Sequence, residues 1–384
     1  MKFSQISAHP GGSPSSLRRL NLQAVLRVLH GGGGYTITEL AHHAQVSRPT
    51  AKQAVDDLVL SGWIGPTRSR PDEVSIGRPA QRFEFRPDAG LVLGADVGAY
   101  KVVAMVADLS GTVVARARRR ADPSQSAAER LGALEAAVEE VLGQVDGRLV
   151  SHAVVASLGT VDDSGTIVYS TALADWLGAN PSAWLAERHP DMVVHAADDM
   201  TMSAYAERWL GNAQGVDDVF YLHLGRRAGA AALIGGRPHL GFHNAAPQVG
   251  LWRATPWRDD YTSLLQMGDQ GDSGAHALFS AAAAGDPDAL ARVDTYATEI
   301  VAGAIPFIIA IDPELVVVGG GVSGAGEAIV GPIRERILTE TPFAPQVRAS
   351  ALRDEAVTLG AVRFALDAAE DQLFSTLSVP SRDA

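Results

Sequence analysis

Four of six successive positions, Arg48, Thr50, Lys52 and Gln53, carry the hydrogen-bonding groups that nucleic-acid recognition uses. Arg and Gln can meet a base edge with two parallel hydrogen bonds, whereas Lys and Thr more often hold phosphate oxygens. Three more arginines, Arg68, Arg70 and Arg78, follow in a turn-rich stretch suited to backbone or minor-groove contact. A second chemistry is suggested by Asp96-Val97-Gly98, where near-continuous apolar runs flank an Asp-x-Gly turn. That pattern suits a buried sheet edge approaching a phosphate. Gly319-x-Gly321-x-x-Gly324 satisfies a dinucleotide fingerprint, but such a motif belongs in a first strand–helix unit and this one sits near the C-terminus. The four glycines at 31–34 follow no strand and precede no Lys-Ser/Thr pair, so they read as a connector. The chain has no cysteine, which excludes disulfides and thiolate metal ligands and fits a reducing compartment. His276 stands alone and makes no metal site; neither a metal nor a cofactor is expected.

These groups need elements to hold them. Residues 17–30 place Leu22, Val25, Leu26 and Leu29 at helical spacing. A short helix follows at 38–44, with Thr38 as its expected cap, then a turn at Gln45-Val46. Ser47 can cap a second helix that tolerates Pro49 in its first turn. That helix would bury Ala51, Val55, Leu58 and Val59 and present Arg48, Thr50, Lys52, Gln53 and Asp56 outward. A solvated face in an unrelated small bundle is the bland alternative. The alternating strand at 81–85 and the basic turns before it instead complete a β-wing. The expected organisation is a flexible arm at 1–16, a winged helix-turn-helix domain at 17–87, and a larger body at 88–384.

Charge is divided the same way. Residues 1–86 hold 11 Lys and Arg against 6 Asp and Glu, while the remainder holds 21 against 38, within a net charge of −12. A basic head on an acidic body is expected where only the head meets phosphates. The arm lacks the apolar core of a signal peptide, and the apolar run at 300–311 is interrupted by Pro306 and short for a bilayer. The expectation is a cytoplasmic protein without a membrane segment. The body reads strand, turn, strand, helix, strand, helix, and then a similar series again. That order implies an α/β body of two similar lobes around a cleft.

The residues of this body resemble the ROK family (repressors, open reading frames, kinases), and specifically its repressor branch. Three body segments carry the resemblance: Asp96-Val97-Gly98 with Lys101, Ala197-Asp198-Asp199-Met200-Thr201 leading to Ala206-Glu207, and 313–321 ending in three glycines. In the head, Ser47-Arg48-Pro49-Thr50 and Gly77-Arg78-Pro79 are similar as well. The resemblance implies actin-like, sugar-kinase-like lobes with a boundary near residue 200 and a C-terminal helix returning to the first lobe. It also implies that Asp199 stands where the kinases keep a general base for a sugar hydroxyl, although Asp199 could instead be a helix N-cap.

The departures bear on function. Asp198 and Thr201 stand where the family has Asn. The second phosphate loop reads Gly225-Arg226-Arg227-Ala228-Gly229; its two arginines would crowd a phosphate, and could bind an anion themselves or form surface ion pairs. The sugar-contacting segment reads Pro247-Gln248-Val249-Gly250-Leu251, so Gln248 can still bond hydroxyls but Leu251 cannot, and the cysteine-rich zinc loop is missing. The implied protein is a dimeric regulator of a double-stranded DNA operator without kinase catalysis, whose body senses a sugar effector through Asp198, Asp199 and Gln248. The alternatives are a body that only dimerises and a sugar kinase with an accessory head.

Overall fold

The computed structural model describes residues 14–67, 80–170, 173–225, 228–246, 248–249 and 272–376. The head comprises α1 (Pro14–His30), β1 (Tyr35–Thr36), α2 (Ile37–His43), α3 (Arg48–Leu60), β2 (Ile64–Thr67) and β3 (Arg82–Phe85). The three strands form an antiparallel sheet in the order β1-β3-β2, and the whole has the winged helix-turn-helix arrangement. Leu22, Val25, Leu26 and Leu29 of α1 pack with Leu40, Ala54, Val55, Leu58 and Ile64 in one core.

Two local expectations are corrected. The cap of α2 is Thr36, not Thr38: its hydroxyl accepts from the Glu39 amide, and the Glu39 carboxylate accepts from the Thr36 amide at 2.7 Å. Glu39 lies three residues beyond Thr36, the spacing a capping box requires. Arg82 of β3 donates to that carboxylate at 2.9 Å and to the Gly34 carbonyl at 2.8 Å, which fastens the wing to α2. The Thr36 amide, helped by Arg82, holds the Glu39 carboxyl below its usual pKa. On α3, Val59 is 40% exposed and Ala54 takes the inward position assigned to it.

The body begins with β4 (Leu91–Val97), β5 (Lys101–Asp108), β6 (Val113–Arg120), α4 (Ala127–Gly143), β7 (Val150–Ser157), β8 (Thr160–Val161), β9 (Ile167–Tyr169), α5 (Pro181–Arg188) and β10 (Val193–Asp198). Its sheet runs β10-β7-β4-β5-β6, with β4 parallel to β7 and antiparallel to β5. Helix α6 (Asp199–Leu210) leads to the second lobe: β11 (Val219–Leu224), β12 (Ala228–Ile234), β13 (Arg237–Pro238), α7 (Asp272–Ala283), α8 (Pro287–Ile311), β14 (Leu315–Gly319), α9 (Glu327–Glu340) and β15 (Gln346–Ala349). The second sheet runs β13-β12-β11-β14-β15 with the same pattern of antiparallel and parallel pairs. In each lobe the first strand is central, an antiparallel meander lies to one side and two parallel strands to the other. The body is therefore two sugar-kinase-like α/β lobes of one topology.

Period-two alternation decides which helices cover which face. Leu91, Leu93 and Ala95 face α4, whereas Val92 and the inward residues of β7 on that side, Val154 and Ala156, face the last helix, α10 (Ala356–Thr376). In the second lobe Phe220, Leu222 and Leu224 face α7, α8 and α9, and Val219 and Tyr221 turn toward Ala204 of α6. Helix α8 starts at Pro287 and runs through Pro306, so at 25 residues it is longer than the run at 300–311 suggested. It is long and apolar enough to span a bilayer, but Val293, Tyr296, Ile300, Ala304 and Ile308 are buried in the second lobe. The glycines after β14 have packing reasons: a side chain at Gly319 would overlap the Tyr221 hydroxyl, and Gly320 has φ +83° against the Leu224 carbonyl.

Candidate functional site

Two groups of residues are candidates, one on the head and one between the lobes. On α3, Ser47 accepts from the Thr50 amide at 3.2 Å, and its hydroxyl lies 2.7 Å from the Thr50 hydroxyl. Thr50 is thus engaged at the helix start and turned toward α1, where it lines a groove with Arg18, Asn21, Gln53 and Asp57. Asp57 is buried and anchors Arg18 by hydrogen bonds of 2.8–3.1 Å. Arg48 and Lys52 lie on the exposed face, and Lys52 pairs with Asp56 at 2.7 Å. The structure brings Arg48 and Lys52 to one outward side of α3 and places the half-buried Gln53 with Thr50 in the groove that faces α1. Arg68, Arg70 and Arg78 lie outside the described residues.

The second group is built where β4, β10 and α6 converge. Asp198 is the last residue of β10, and its carboxylate accepts from the Thr201 amide at 2.8 Å, capping α6. The capping role considered for Asp199 therefore belongs to its neighbour. Asp199 is 8% exposed, and its carboxylate accepts from the adjacent Met200 amide at 3.0 Å. Burial, with Asp198 and Asp96 nearby, raises its pKa well above the ordinary carboxyl value. Burial also raises Asp198, against the opposing bonds from Thr201. Asp96, at the end of β4, is pushed up to about 6 by burial, although the Lys101 ammonium 3.6 Å away pulls the other way. Lys101 also donates to the Asp354 carbonyl at 2.6 Å. His223 of β11 completes this surround from the second lobe; burial and then Lys101 lower its pKa to about 4.

The Asp96-x-Gly98 turn is held from below by a buried arginine that sequence reasoning missed. Arg130 of α4 donates to the Gly98 carbonyl and, at 2.8 Å, to the Asp122 carbonyl. Its partners are carbonyls 8 and 32 residues away, so no local pattern marks it as buried.

A cavity of about 110 Å³ lies beside Asp198, between the β8–β9 turn of the first lobe and the segment after β13 of the second. Its walls include Asp163, His195, Asp198, Thr201, Asn244 and Phe364. Asn244 spans the lobes, donating to the Val161 carbonyl at 3.2 Å and to the Asp163 carboxylate at 2.9 Å. Asp199 and Gln248 are not among the residues lining it, so the three expected ligand-contacting residues do not share one wall. Gln248 is partly buried after the turn that carries Asn244. His195, Asn244 and Phe364 come from three distant segments, and no local pattern could have gathered them. Arg226, Arg227 and Leu251 lie outside the described residues, as does the side chain of His276. Among the described residues no three His, Asp or Glu side chains are grouped to hold a metal ion, and a chain without cysteine cannot supply zinc with thiolates.

Comparison with known proteins adds the lineage. The chain is 26% identical to a glucokinase of Streptomyces coelicolor over 286 residues, 64% of this chain and 86% of the relative. It is 20% identical to the xylose repressor of Caldicellulosiruptor bescii over 395 residues, covering 91% of this chain and 96% of the relative. Among solved structures it is similar to a ROK family transcriptional regulator described as a homologue of the Escherichia coli MLC protein. The TM-score is 0.74 at 16% identity, with 94% and 98% of the two chains covered. It is also similar to a ROK family glucokinase from Streptomyces griseus in complex with glucose and AMPPNP, with TM-score 0.61 and 26% identity, over 72% of this chain and 100% of that one. The model of the ROK family matches residues 92–258 and 261–368; the chain belongs to the ROK family.

Proposed function

We propose that this ROK protein is a transcription regulator, in which the head binds a double-stranded DNA operator and the body senses a sugar without phosphorylating it. The observation that carries the reading is how far each likeness extends. The glucokinase structure is matched along its whole length yet leaves about a quarter of this chain uncovered, whereas the regulator and the xylose repressor align over more than nine-tenths of it. The family match begins only at residue 92, after the winged helix-turn-helix head, whose α3 exposes Arg48 and Lys52 and lines a groove with Thr50 and Gln53.

In this reading Arg48 and Gln53 read base edges, Lys52 exchanges Asp56 for a phosphate, and Thr50 sets the helix start. The wing arginines Arg68, Arg70 and Arg78 hold the backbone. A second copy of the chain supplies the other half of a two-fold operator. In the body, Asp198, Asp199 and Gln248 contact the sugar. The loss of the family's sugar-contacting His at Leu251 and of the glycine-rich second phosphate loop at Arg226 and Arg227 argues against phosphoryl transfer, which depends on phosphate positioning.

The test is selection of bound DNA from a random library by the full chain, with and without glucose, xylose and their phosphates. Enrichment of a palindromic site whose occupancy changes with one sugar fraction is the expected result. A site indifferent to every fraction would leave the body as a dimerisation scaffold. No enriched site would end the regulator reading.

A further inference from the structure

The cleft and the head are joined by one pair of helices. At its N-terminus α6 carries Asp199, and its next residue, Met200, sits over Gly229 of β12 in the second lobe, where a side chain would come within 2.9 Å of the Met200 sulfur. Two residues later α6 meets the other helix. A side chain at Gly360 of α10 would overlap the Met202 carbonyl, so the two backbones touch there. Helix α10 in turn lies directly on the first sheet: a side chain at Gly94 of β4 would stand 2.5 Å from the Val362 amide nitrogen. Strand β4, α10 and α6 thus form three backbones in succession with no side chain as padding. Close-packed contacts of this kind pass on displacement instead of absorbing it.

The far end of α10 belongs to the head as much as to the body. Leu373 is buried in the head core beside Leu22, Leu26 and Leu29, and Trp63 and Phe85 pack against both that core and the one beneath α10. Between the two ends runs a continuous chain of polar contacts. The Tyr205 hydroxyl of α6 donates to Asp367 of α10. Arg363 donates to the same carboxylate and, at 3.3 Å, to Glu370, while its guanidinium lies 5.8 Å from the ring centre of Trp209 on α6. Glu370 lies 3.6 Å from the His30 imidazole at the end of α1, and that ring packs edge-on against Phe85 at 4.9 Å. Asp367, Arg363, Glu370 and His30 are each at least two-thirds buried at their side chains. Shielded from water, such contacts are stronger and more costly to break than surface pairs.

We propose that α6 and α10 are the coupling element of this protein, with Arg363 as its positioning hub: a shift of α6 at the cleft is delivered to α1 through Tyr205, Asp367, Arg363, Glu370 and His30. The biological meaning of this coupling rests on the regulator reading above; its physical content does not.

Hydrogen exchange of the full chain, read by mass spectrometry without any ligand, tests it. Tyr205→Phe keeps the ring on Phe364 and removes only the hydroxyl that meets Asp367. It should raise exchange at residues 22–30 of α1 by about threefold or more, although no atom of Tyr205 lies in the head. Glu370→Gln, made at the other end, should raise exchange at residues 203–210 of α6 by a similar factor. Arg363→Lys, whose single ammonium cannot bridge both carboxylates, should reproduce both effects in one variant. Changes confined to the helix that bears the substitution, or transmitted in one direction only, would overturn the proposal. Failure of the DNA selection would instead sink the regulator reading and leave the exchange result standing.

Discussion

At the scale of single residues, the functional candidates stand out by what their charges lack. Asp96 is buried with one cation at 3.6 Å, and its pKa is raised from 3.8 to about 6, chiefly by burial. Between those two values the folded chain holds a proton that the unfolded chain has released. The stability that this proton confers is therefore fully present below about pH 4 and is lost as pH rises through about 6. Asp96→Asn removes the ionisation cost but also the partner of Lys101, which keeps the Asp354 carbonyl. Chemical denaturation should show the variant gaining on the parent by roughly 1–3 kcal/mol between pH 4 and pH 7.5. A difference that stays flat with pH would mean Asp96 is not titrating in that window. On the head, Arg48→Ala should cost roughly 1–3 kcal/mol on the selected operator and relax preference at one base pair, whereas Lys52→Ala should weaken all sequences about equally. Equal losses for Arg48→Ala on specific and random DNA would show that it holds phosphate. The exposure of Arg48 and Lys52 could be read from the sequence because helical periodicity separates an inward from an outward face, whereas Gln53 turns with Thr50 into the groove toward α1. The cap at Ser47 was legible as well, since Pro49 has no amide and leaves that of Thr50 to meet the hydroxyl; the choice of Asp198 over Asp199 as a cap was not, because it depends on where the backbone turns.

At the scale of elements, glycine is where the sequence hid most. Gly360 looks like a weak point in a helix, yet it is the residue that lets α10 touch α6. Gly360→Ala places a methyl group against the backbone carbonyl of Met202, which cannot rotate away, and should destabilise the protein by roughly 2–3 kcal/mol. Gly132 of α4 is the counter-case: nothing lies within 4 Å of where its side chain would go. Gly132→Ala should therefore stabilise by about 0.5–1 kcal/mol through helix propensity. Thermal melts of the two variants should move in opposite directions; equal shifts would refute the packing account of Gly360. Several elements were legible in advance for a plain reason. Residues 315–318 are an unbroken apolar run, 219–224 is apolar but for His223, and 127–142 has a single amphipathic period. Strand β6 was not, because Val-Val-Ala-Arg-Ala-Arg-Arg-Arg reads as a charged loop until Asp354 and Glu355 are placed opposite it in space. The polar groove beneath α3 was missed for a similar reason, since Asp57 falls on the buried face and only Arg18, 39 positions earlier, explains it.

At the scale of the whole molecule, two lobes with one strand order enclose a cavity that both of them line, and the head sits on the helix that runs back from the C-terminal end of the second lobe across the first. The repeated order of strands and helices made the two lobes legible in the sequence, but the seating of the head was not, since Leu373 is 300 residues or more from most of its neighbours. This arrangement constrains how a sugar and an operator can influence one another. If a sugar alters lobe closure, it must do so by binding one closure state better than the other, and the operator must then favour one state as well. Linkage makes the influence mutual: the factor by which saturating sugar changes operator affinity must equal the factor by which saturating operator changes sugar affinity. We expect a factor of about 5 to 150, equivalent to 1–3 kcal/mol of coupling, for whichever of glucose, xylose or their phosphates raises the melting temperature of the free protein. Two titrations measure it, one of labelled operator with and without sugar and one of sugar by calorimetry with and without operator. Matching factors above unity would establish a ligand-responsive regulator. A sugar that raises the melting temperature but leaves operator affinity unchanged would show a cleft that binds without signalling, and ATP consumption in the presence of that sugar would return the body to the kinases.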